Sequence, residues 1–353
     1  MLPDSTTYHS LPQMKHKLLA VSTENQANIG DYIQALAAAK LLPSVDGFIQ
    51  REQLKDYQGN HAKVIMNGWF MHHTSQWPPS ENIHPLFVAF HLNSLAQQQM
   101  LNSEGIAYLK AHQPIGCRDY HTVRLLQERG IEAYFSGCLT LTLGGVIKRE
   151  ECSGKTYFVD PYFKTDWNVW SFLRNAATLL IHFRDIDHIA RKHPEQKKGL
   201  RKRMILSAFY REYRRFFSRQ TLIEAEYICQ QSTYYKQAFG SDEERLQYAE
   251  QLVRKYADAS LVVTSRIHCG LPCLGMGTPV ILTEDARQSE ASRCRMEGLR
   301  ELFNRMEWNN GRLQPCFKLK HTITAETVPA NKTTWKPLAE RLRQTVCTWL
   351  TTE

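Results

Sequence analysis

The chain has 353 residues, of which 42% are hydrophobic and 22% are charged, and its formal net charge is +9. This composition is typical of a globular protein and argues against a disordered chain. The length exceeds what a single hydrophobic core usually covers, so we expect two domains. The nine cysteines are scattered, the first residues lack an apolar signal segment, and no apolar run is long enough to span a bilayer. We therefore expect a cytoplasmic protein with reduced thiols.

Strands and helices are predicted to alternate along the first part of the chain. Strands are predicted at 17–22, 62–66, 85–91, 115–117 and 131–136, and helices at 32–41, 103–111 and 120–129. Such alternation is typical of a parallel sheet with both faces covered. We therefore expect an N-terminal Rossmann-like domain over residues 1–145.

A polar turn joins the first predicted strand to the first predicted helix. The backbone N–H groups at the start of a helix attract an anion or a sugar, and Gly30 allows close approach to the backbone. Asn28 offers directional hydrogen bonds, and Asp31 offers a carboxylate that can take up a proton. The alternative is that Asp31 caps the helix and Gly30 only completes a turn. The motif GxGxxG is absent, so a dinucleotide is not indicated.

Three further strand ends carry candidate side chains. Asn67 and Trp69 follow the strand predicted at 62–66, and such a Trp suits stacking on a sugar ring, although Trp also fills cores. His91 ends the strand predicted at 85–91 and is either a proton acceptor or a structural histidine. Arg118 follows the strand at 115–117 and is a candidate anion contact, whereas its neighbour Asp119 suits a helix N-cap or an ion pair with Arg118.

A second α/β series follows a polar, glycine-containing stretch at 144–154, where we place a domain linker. Strands are predicted at 156–159 and 221–228, and helices at 168–190, 201–217 and 242–255. We expect this series to form a C-terminal Rossmann-like domain over residues 150–330. A final helix within 335–353 is expected to cross back to the first domain.

Most of the excess positive charge lies in this second series. Residues 184–219 contain twelve Lys or Arg and four Asp or Glu, a balance that attracts phosphate-bearing partners. Within 201–219, apolar side chains recur at steps of three to four residues with arginines between them, which predicts a basic amphipathic helix. Such a helix rests on an anionic membrane surface, or it packs its apolar stripe against the core.

The segment 261–282 is the most informative part of the sequence. Two β-branched runs enclose a stretch of small residues, which predicts strand, helix and strand in succession. Ser265, Arg266 and His268 leave the first strand at its carboxyl end, where parallel α/β sheets bind ligands. Arginine offers a planar fork of donors to carboxylate or phosphate, and histidine offers a proton near neutral pH. Arg295 follows in a loop that either closes over the same site or forms a structural ion pair.

Taken in order, these motifs resemble those of the polysaccharide pyruvyl transferases. The likeness rests on the turn at 28–31, the strand end at 116–119 with the glycine at 130, the segment 136–138, and above all residues 263–268 with 277–280. The Arg266-x-His268 unit is the most specific of these. Together the pieces extend from about residue 20 to about residue 300, and their shared order makes chance agreement improbable.

The resemblance implies two Rossmann-like domains facing a cleft, in an arrangement like that of the GT-B glycosyltransferases. It also implies transfer of a pyruvyl group from phosphoenolpyruvate to a sugar, with formation of a cyclic ketal and release of phosphate. Arg266 and His268 then occupy the phosphoenolpyruvate-binding and catalytic positions, and Arg118 is a further anion contact. The C-terminal domain would hold phosphoenolpyruvate and the N-terminal domain the acceptor. No metal-ligand spacing such as HExxH occurs, and no cofactor is expected beyond phosphoenolpyruvate as donor substrate.

The chemistry assigns a role to each candidate. His268 is the expected general acid, and Asp31, or less favourably His91, is the expected base for the sugar hydroxyl. Substrate contacts are expected from Arg266, Arg118, Asn28, Gly30, Ser265, Asn67, Trp69 and Arg295. If the acceptor sugar is linked to polyprenyl pyrophosphate, residues 201–219 would place the enzyme on the anionic inner face of the membrane.

Two other functions fit parts of the sequence. A GT-B glycosyltransferase that uses a nucleotide sugar would present the same two-domain cleft, and nucleotide release would distinguish it. A nucleic-acid-binding protein would use the basic block, but no recognition module accompanies the charge, so no nucleic-acid partner is expected. The sequence does not predict the acceptor sugar or the oligomeric state.

Overall fold

The predicted α/β fold class, with parallel sheets, is confirmed by a computed structural model that describes residues 14–21, 27–150, 152–195, 197–232 and 238–352. Strands and helices alternate through most of this part of the chain. The boundary at residues 145–150 and the GT-B arrangement of two domains remain predictions.

The N-terminal half contains two four-stranded sheets whose paired strands are all parallel, with the orders β3-β1-β4-β6 and β5-β7-β8-β9. Met66 N donates to Leu86 O at 2.8 Å, and Gly68 N donates to Ala89 O at 3.0 Å. Backbone hydrogen bonds therefore continue from the first sheet into the second. The strands of this half are β1 (Lys15–Ala20), β2 (Ala27–Asn28), β3 (Phe48–Gln50), β4 (Ala62–Ile65), β5 (Gly68–Phe70), β6 (Ile83–Leu86), β7 (Phe90–Leu92), β8 (Ile115–Cys117) and β9 (Ala133–Phe135).

Polar side chains start the main helices of this half. The side-chain oxygen of Asn28 accepts from Gly30 N at 3.0 Å, that of Asn102 from Gly105 N at 2.8 Å and that of Asp119 from Thr122 N at 2.8 Å. Each of these contacts satisfies a backbone donor that the first turn of a helix leaves without a partner. The helices are α1 (Ile29–Ala39), α2 (Gln97–Met100), α3 (Ser103–Ala111) and α4 (Tyr120–Gln127), and a 3₁₀ helix follows at Leu139–Gly145.

The C-terminal half is built on one six-stranded sheet in the order β11-β10-β13-β14-β15-β16, parallel except for its last pair. One short strand, β12, instead pairs antiparallel with β2 of the N-terminal half. The strands are β10 (Thr156–Val159), β11 (Glu226–Ile228), β12 (Gln231–Ser232), β13 (Leu261–Thr264), β14 (Val280–Asp285), β15 (Asn304–Asn309) and β16 (Arg312–Pro315). The helices are α5 (Val169–Ile181), α6 (Phe183–Lys192), α7 (Gly199–Tyr213), α8 (Arg219–Glu224), α9 (Asp242–Ala257), α10 (Ile267–Met276), α11 (Glu290–Cys294) and α12 (Lys336–Thr351).

Three predicted elements are wrong in extent or type. The strand predicted at 85–91 is two strands, β6 and β7, because the chain bends where Ala89 has a positive φ of 54°. The helix predicted at 168–190 breaks at His182 into α5 and α6. The strand predicted at 221–228 is strand only from Glu226, because Ser218 caps a short helix before it.

The apolar stripe predicted at 201–219 faces the interior. Phe209, Tyr210, Tyr213 and Phe217 are each no more than 1% exposed and belong to the core beneath the six-stranded sheet. The arginines between them contact protein groups: Arg211 binds Asn175, Arg214 binds Phe217 O, Arg215 binds Glu212, and Arg219 binds Asp185. Of the two alternatives, core packing therefore describes this stripe, and its rings are not available to lipid.

The helix that follows β13 packs closely against the 3₁₀ helix of the N-terminal half. A Cβ atom at Gly144 would lie 1.8 Å from Gly275 O, and one at Gly275 would lie 2.4 Å from Leu141 O. The two backbones are thus in direct contact, which only glycine permits. One apolar core contains residues of both halves, including Leu141, Leu143, Leu271 and Leu274.

The C-terminal helix α12 contacts the N-terminal half. Its buried residues Ala339, Leu342 and Val346 belong to the same core as Leu141. Lys63 Nζ, from β4, donates to Trp349 O at 3.2 Å and Thr352 O at 2.6 Å at the C-terminal end of this helix. A basic side chain at this place suits the free carbonyl groups at a helix C-terminus.

Candidate active site

A polar cavity of about 410 Å³ lies where strand ends and helix N-termini of both halves meet. Its volume falls in the range of small-molecule sites in proteins. Four of the side chains around it are arginines, and the only carboxylate among its lining residues is Asp31. The lining residues are Val21, Asn28, Gly30, Asp31, Arg51, Trp69, His72, Arg118, Gln230, Ser265, Arg266, Ile267, His268, Arg295 and Met296.

The start of α1 forms one wall. Asn28, not Asp31, caps this helix, so the carboxylate of Asp31 is left to face the cavity and accepts a hydrogen bond from Gln34 Nε2 at 3.2 Å. Burial raises the pKa of Asp31 above its ordinary value, although the charges of Arg51 and Arg118 work in the opposite direction. The carboxylate is therefore a stronger proton acceptor than an exposed one.

His268 is the second residue of α10 and lies against the opposite end of this wall. A Cβ atom at residue 30 would lie 3.2 Å from His268 Cβ and 3.3 Å from His268 Nδ1, so the absence of a side chain at Gly30 admits the ring. The ring is 8% exposed, and its Nε2 has no hydrogen-bond partner among the described residues. Burial, together with the charges of Arg118, Arg295 and Arg266, lowers the pKa of His268 well below its ordinary value. The imidazole is therefore neutral in this site as it stands.

Arg118 extends from the end of β8 into the same space. It is 2% exposed, and its Nε has no hydrogen-bond partner among the described residues. Within that part of the chain no carboxylate lies within ion-pair distance of Arg118 or Arg295. Desolvation and the charges of Arg118 and Arg266 lower the pKa of Arg295. Buried guanidinium groups without anions are costly, so this cluster is built to receive an anionic ligand.

Arg266 is the N-cap of α10 and is held by a carboxylate. Its Nε donates to Asp160 Oδ2 at 2.9 Å, and its backbone N donates to Thr264 Oγ1 at 2.9 Å. Asp160 follows β10, where its φ is 43°, and its carbonyl oxygen accepts from Ser265 Oγ at 2.6 Å. Asp160 thereby fixes the direction in which the guanidinium points.

Trp69 forms an aromatic floor with a cation on one side. The guanidinium carbon of Arg51 lies 5.2 Å from the ring centroid, and the ring of His72 lies 4.4 Å from it. Glu52 connects this group, since it accepts from Arg51 Nε at 3.2 Å and from the backbone N of His72 at 2.9 Å. Such a geometry is typical of a cation–π contact.

His91 lies behind the cavity wall. Its Nδ1 donates to Asp119 Oδ2 at 2.6 Å, and Asp119 also accepts from Thr122 N and Thr122 Oγ1. Burial lowers the pKa of His91. Burial would raise the pKa of Asp119, but the contacts of Asp119 with His91, Arg118 and Thr122 outweigh burial and hold that pKa below its ordinary value. Of the two sequence alternatives, Asp119 is therefore the helix N-cap; its ion-pair partner among the described residues is His91 and not Arg118.

The structure brings together all the predicted site residues except two. Asn28, Gly30, Asp31, Trp69, Arg118, Ser265, Arg266, His268 and Arg295 line the cavity, whereas His91 and Asn67 do not. Asn67 Nδ2 donates to Gln34 O at 3.2 Å, so its amide supports α1 instead. No described residues form a cluster of three or more metal-ligating side chains.

Sequence reasoning did not select four polar residues of the site: Arg51, His72, Gln230 and the supporting Asp160. Arg51 follows β3, a strand that was not predicted, and His72 is placed by the turn after β5. Asp160 ends a predicted strand, and the rule that strand ends carry ligands would have found it. Gln230 reaches the cavity through the loop between β11 and β12, which carries no motif.

The family assignment agrees with this geometry. Residues 99–284, more than half of the chain, match the model of the polysaccharide pyruvyl transferase family. The chain belongs to the polysaccharide pyruvyl transferase family. No curated protein sequence matches it.

Membership of the polysaccharide pyruvyl transferase family makes the protein a transferase that moves a pyruvyl group. The matched residues include Arg118, Ser265, Arg266 and His268, so two of the four arginines of the cavity lie within the matched region. In the described part of the chain, none of the helices combines the length and the apolar character that crossing a membrane requires.

Proposed function

We propose that this pyruvyl transferase moves the pyruvyl group of phosphoenolpyruvate to a sugar of a polysaccharide or of a lipid-linked oligosaccharide. The product is a cyclic pyruvate ketal, and phosphate is released. The observation that supports this most directly is the buried guanidinium of Arg118, which has an unpartnered Nε and faces a cavity shared with Arg266 and Arg295.

The donor is a small molecule with a carboxylate and a phosphate, and it matches the charge of this cavity. Arginine binds both groups through paired donors, and its hydrogen bonds to anions are stronger than those between neutral groups. Arg266 is oriented by Asp160 and would grip one anionic group, while Arg118 and Arg295 would grip the other. The same guanidinium groups would stabilise the phosphate as it departs.

His268 is the proposed general acid for the vinyl carbon. Burial, and after it the charges of three arginines, keeps the pKa of His268 low, so the imidazole carries no spare proton. A bound anion would neutralise those charges and raise the pKa of His268, so that the proton arrives with the substrate. Proton transfer from a positioned side chain to the substrate typically raises the rate by ~10²–10⁴.

Asp31 is the proposed base for the sugar hydroxyl. It lines the cavity, and burial raises its pKa towards the range in which a carboxylate accepts a proton effectively. His91 is the weaker candidate, because its Nδ1 donates to Asp119 and the ring lies outside the cavity lining. Trp69 would offer the acceptor sugar a flat apolar face.

The proposed reaction balances in atoms and charge. The methylene carbon of phosphoenolpyruvate gains one proton and becomes a methyl group, while C2 forms a bond to the first sugar oxygen. The bond between C2 and the phosphate oxygen then breaks, and C2 bonds to the second sugar oxygen. The two hydroxyl groups lose two protons in all, of which one balances the new methyl group and the other leaves with phosphate.

Binding and turnover test this proposal separately. Calorimetry should detect phosphoenolpyruvate binding to the intact protein, and Arg118→Ala should weaken that binding by at least about tenfold. Mass spectrometry of candidate acceptors should show the added pyruvyl ketal together with released phosphate. His268→Ala should lower kcat by about 10²–10⁴, while His321→Ala, a surface control, should not.

Two results would overturn the assignment. Failure of the unmodified protein to bind phosphoenolpyruvate would remove the donor. Release of a nucleotide from a nucleotide sugar would instead indicate a glycosyltransferase. Full activity of His268→Ala would leave the donor in place and reassign the acid.

A further inference from the structure

The outer face of α5 is apolar and has no partner within the described chain. Nine of the thirteen large hydrophobic side chains that are exposed in the described residues lie between residues 167 and 200. Trp170 is 75% exposed, Leu180 is 82% exposed and Ile181 is 75% exposed. We call these nine residues the α5 patch: Trp167, Val169, Trp170, Phe172, Leu173, Leu180, Ile181, Phe183 and Leu200.

α5 exposes most of its large apolar side chains and buries two polar ones. Its inner side carries Ser171, Asn175 and Leu179, and Asn175 Oδ1 accepts from Arg211 Nη1 at 2.6 Å. A surface helix normally places its apolar stripe on the core and its polar side in water. Contiguous apolar surface of this kind on a folded protein indicates an interaction site.

Basic side chains surround the patch. Residues 161–204 contain ten Lys or Arg and four Asp or Glu. Two of the acids are already occupied, because Asp185 pairs with Arg219, and Asp187 pairs with Arg191 and Arg203. Eight cations of this segment then remain against two acids, Asp166 and Glu195, although Lys192 and Lys202 also donate to the backbone carbonyl groups of Ile223 and His193. These cations are Lys164, Arg174, Arg184, Lys192, Lys197, Lys198, Arg201 and Lys202.

The patch contains a groove as well as the helix face. Trp167, Leu200, Arg201 and Met204 line a depression of about 380 Å³ between the starts of α5 and α7. Apolar walls with a cation at the edge suit a hydrocarbon chain whose head is anionic. Tryptophan and phenylalanine are also the side chains that favour the boundary between lipid and water.

We propose that the α5 patch and its basic rim dock this protein on an anionic lipid bilayer, with α5 lying in the plane of the interface. The aromatic and aliphatic side chains enter the boundary between headgroups and acyl chains, and the surrounding Lys and Arg contact lipid phosphates. A second copy of the chain fits less well, because a symmetric contact would bring two basic rims together.

The proposed docking surface lies beside a route to the cavity. A neighbouring cavity shares Ser265 and Arg266 with the candidate active site and extends to His193 and Lys197. Lys197 belongs to the basic rim, so a lipid-linked acceptor held at the bilayer would meet the cavity from this side. This last link rests on the proposed function, whereas docking itself does not require any reaction.

Vesicle flotation with the full chain tests the docking. Vesicles of equal parts phosphatidylcholine and phosphatidylglycerol should bind the protein, and vesicles of phosphatidylcholine alone should bind it much more weakly. The double variant Trp170→Ser/Leu180→Ser should lose at least about tenfold in partition coefficient. Leu95→Ser is the matched control, since Leu95 is 86% exposed but lies outside the patch, and it should bind as the unmodified protein does.

Charge reversal tests the rim. Lys198→Glu/Arg201→Glu should weaken binding to the anionic vesicles and reduce its dependence on salt, whereas Lys320→Glu should change neither. Thermal melting of each variant should show that folding is retained, as expected for exposed positions. Equal binding by Trp170→Ser/Leu180→Ser and the unmodified protein would overturn the proposal.

Sedimentation velocity tests whether the α5 patch instead binds a second copy of the chain. The unmodified protein and the Trp170→Ser/Leu180→Ser variant should sediment in the same oligomeric state. Self-association that this variant abolishes, together with no vesicle binding, would overturn membrane docking and make the patch a contact between copies. The pyruvyl transfer proposal would survive either result, because donor binding is measured without lipid.

Discussion

At the level of single residues, the pKa of His268 is set by the groups around its ring. Burial comes first, and the charges of Arg118, Arg295 and Arg266 add to it, so the pKa of His268 lies well below 6.5, the ordinary value for histidine. An anion placed among these arginines removes their repulsion of a protonated ring. The imidazole should therefore take up a proton when the anion binds.

This proton uptake is measurable without turnover. Phosphoenolpyruvate or inorganic phosphate should move the NMR titration of the His268 ring to higher pH, and calorimetry in buffers of different ionisation enthalpy should report net proton uptake near neutral pH. In Arg118→Ala the titration of the free protein should already lie higher. A ring that titrates at the same pH with and without anion would contradict the assigned role.

The residues that sequence reasoning placed correctly share one feature. Arg118, Ser265 and Arg266 each follow a strand that the sequence predicts, and the carboxyl ends of parallel strands meet at one edge of a sheet. Asn67 also follows a predicted strand but is turned towards Gln34, whereas His91 lies inside β7 instead of at a strand end and is turned towards Asp119. The rule places the backbone, and it does not determine which side of the strand end a side chain takes.

At the level of elements, the backbones of α10 and of the 3₁₀ helix at Leu139–Gly145 are in direct contact. A side chain at Gly275 would meet Leu141 O at 2.4 Å, a backbone atom that cannot move away alone. The sequence predicts α10 correctly, but nothing in its pattern indicates that a second helix needs the glycine at 275. Contacts between distant segments carry no periodic signal.

Gly275→Ala should therefore destabilise the protein although alanine favours helices. We expect a loss of about 1–3 kcal/mol in the free energy of unfolding, as for other overpacked sites, with weaker phosphoenolpyruvate binding because α10 carries His268. Urea denaturation is the measurement. Gly240→Ala is the control, since a Cβ there would meet only Glu244 Oε2 at 3.9 Å. Equal stability of the two variants would refute the contact.

At the level of the whole molecule, histidine burial links folding to pH. Burial lowers the pKa of six described histidines: His16, His84, His91, His112, His193 and His268. The unfolded chain binds protons at these rings below about pH 6.5, and the native protein does not. The free energy of unfolding should therefore fall as the pH is lowered from about 6.5.

His193 offers the clearest single test, because burial lowers its pKa to about 4. Between about pH 6.5 and 4 this ring alone should contribute a slope of roughly 1.4 kcal/mol per pH unit. Urea titrations across that range should show a shallower fall for His193→Gln than for the unmodified protein. His321→Gln, at an exposed position, should keep the original slope, and a His193→Gln slope equal to it would contradict the prediction.

Fold class and family were within reach of the sequence, because strand and helix periodicity and the Arg266-x-His268 unit are local. The sequence could not predict that α5 exposes its apolar face. Its pattern of apolar and polar residues predicts an amphipathic helix but does not state which face turns inward. Asn175 and Arg211 decide that question, and they are 36 residues apart in the chain.

The missing side chain at Gly30 has a mechanical consequence. The His268 ring, carried by the C-terminal half, lies against α1 of the N-terminal half, so the exclusion of water from this ring depends on both halves. Parting the two halves by the width of a water molecule would hydrate the imidazole and restore its basicity, whether or not any anion were present. The proton delivery that we propose for His268 would thereby depend on the contact between α1 and α10.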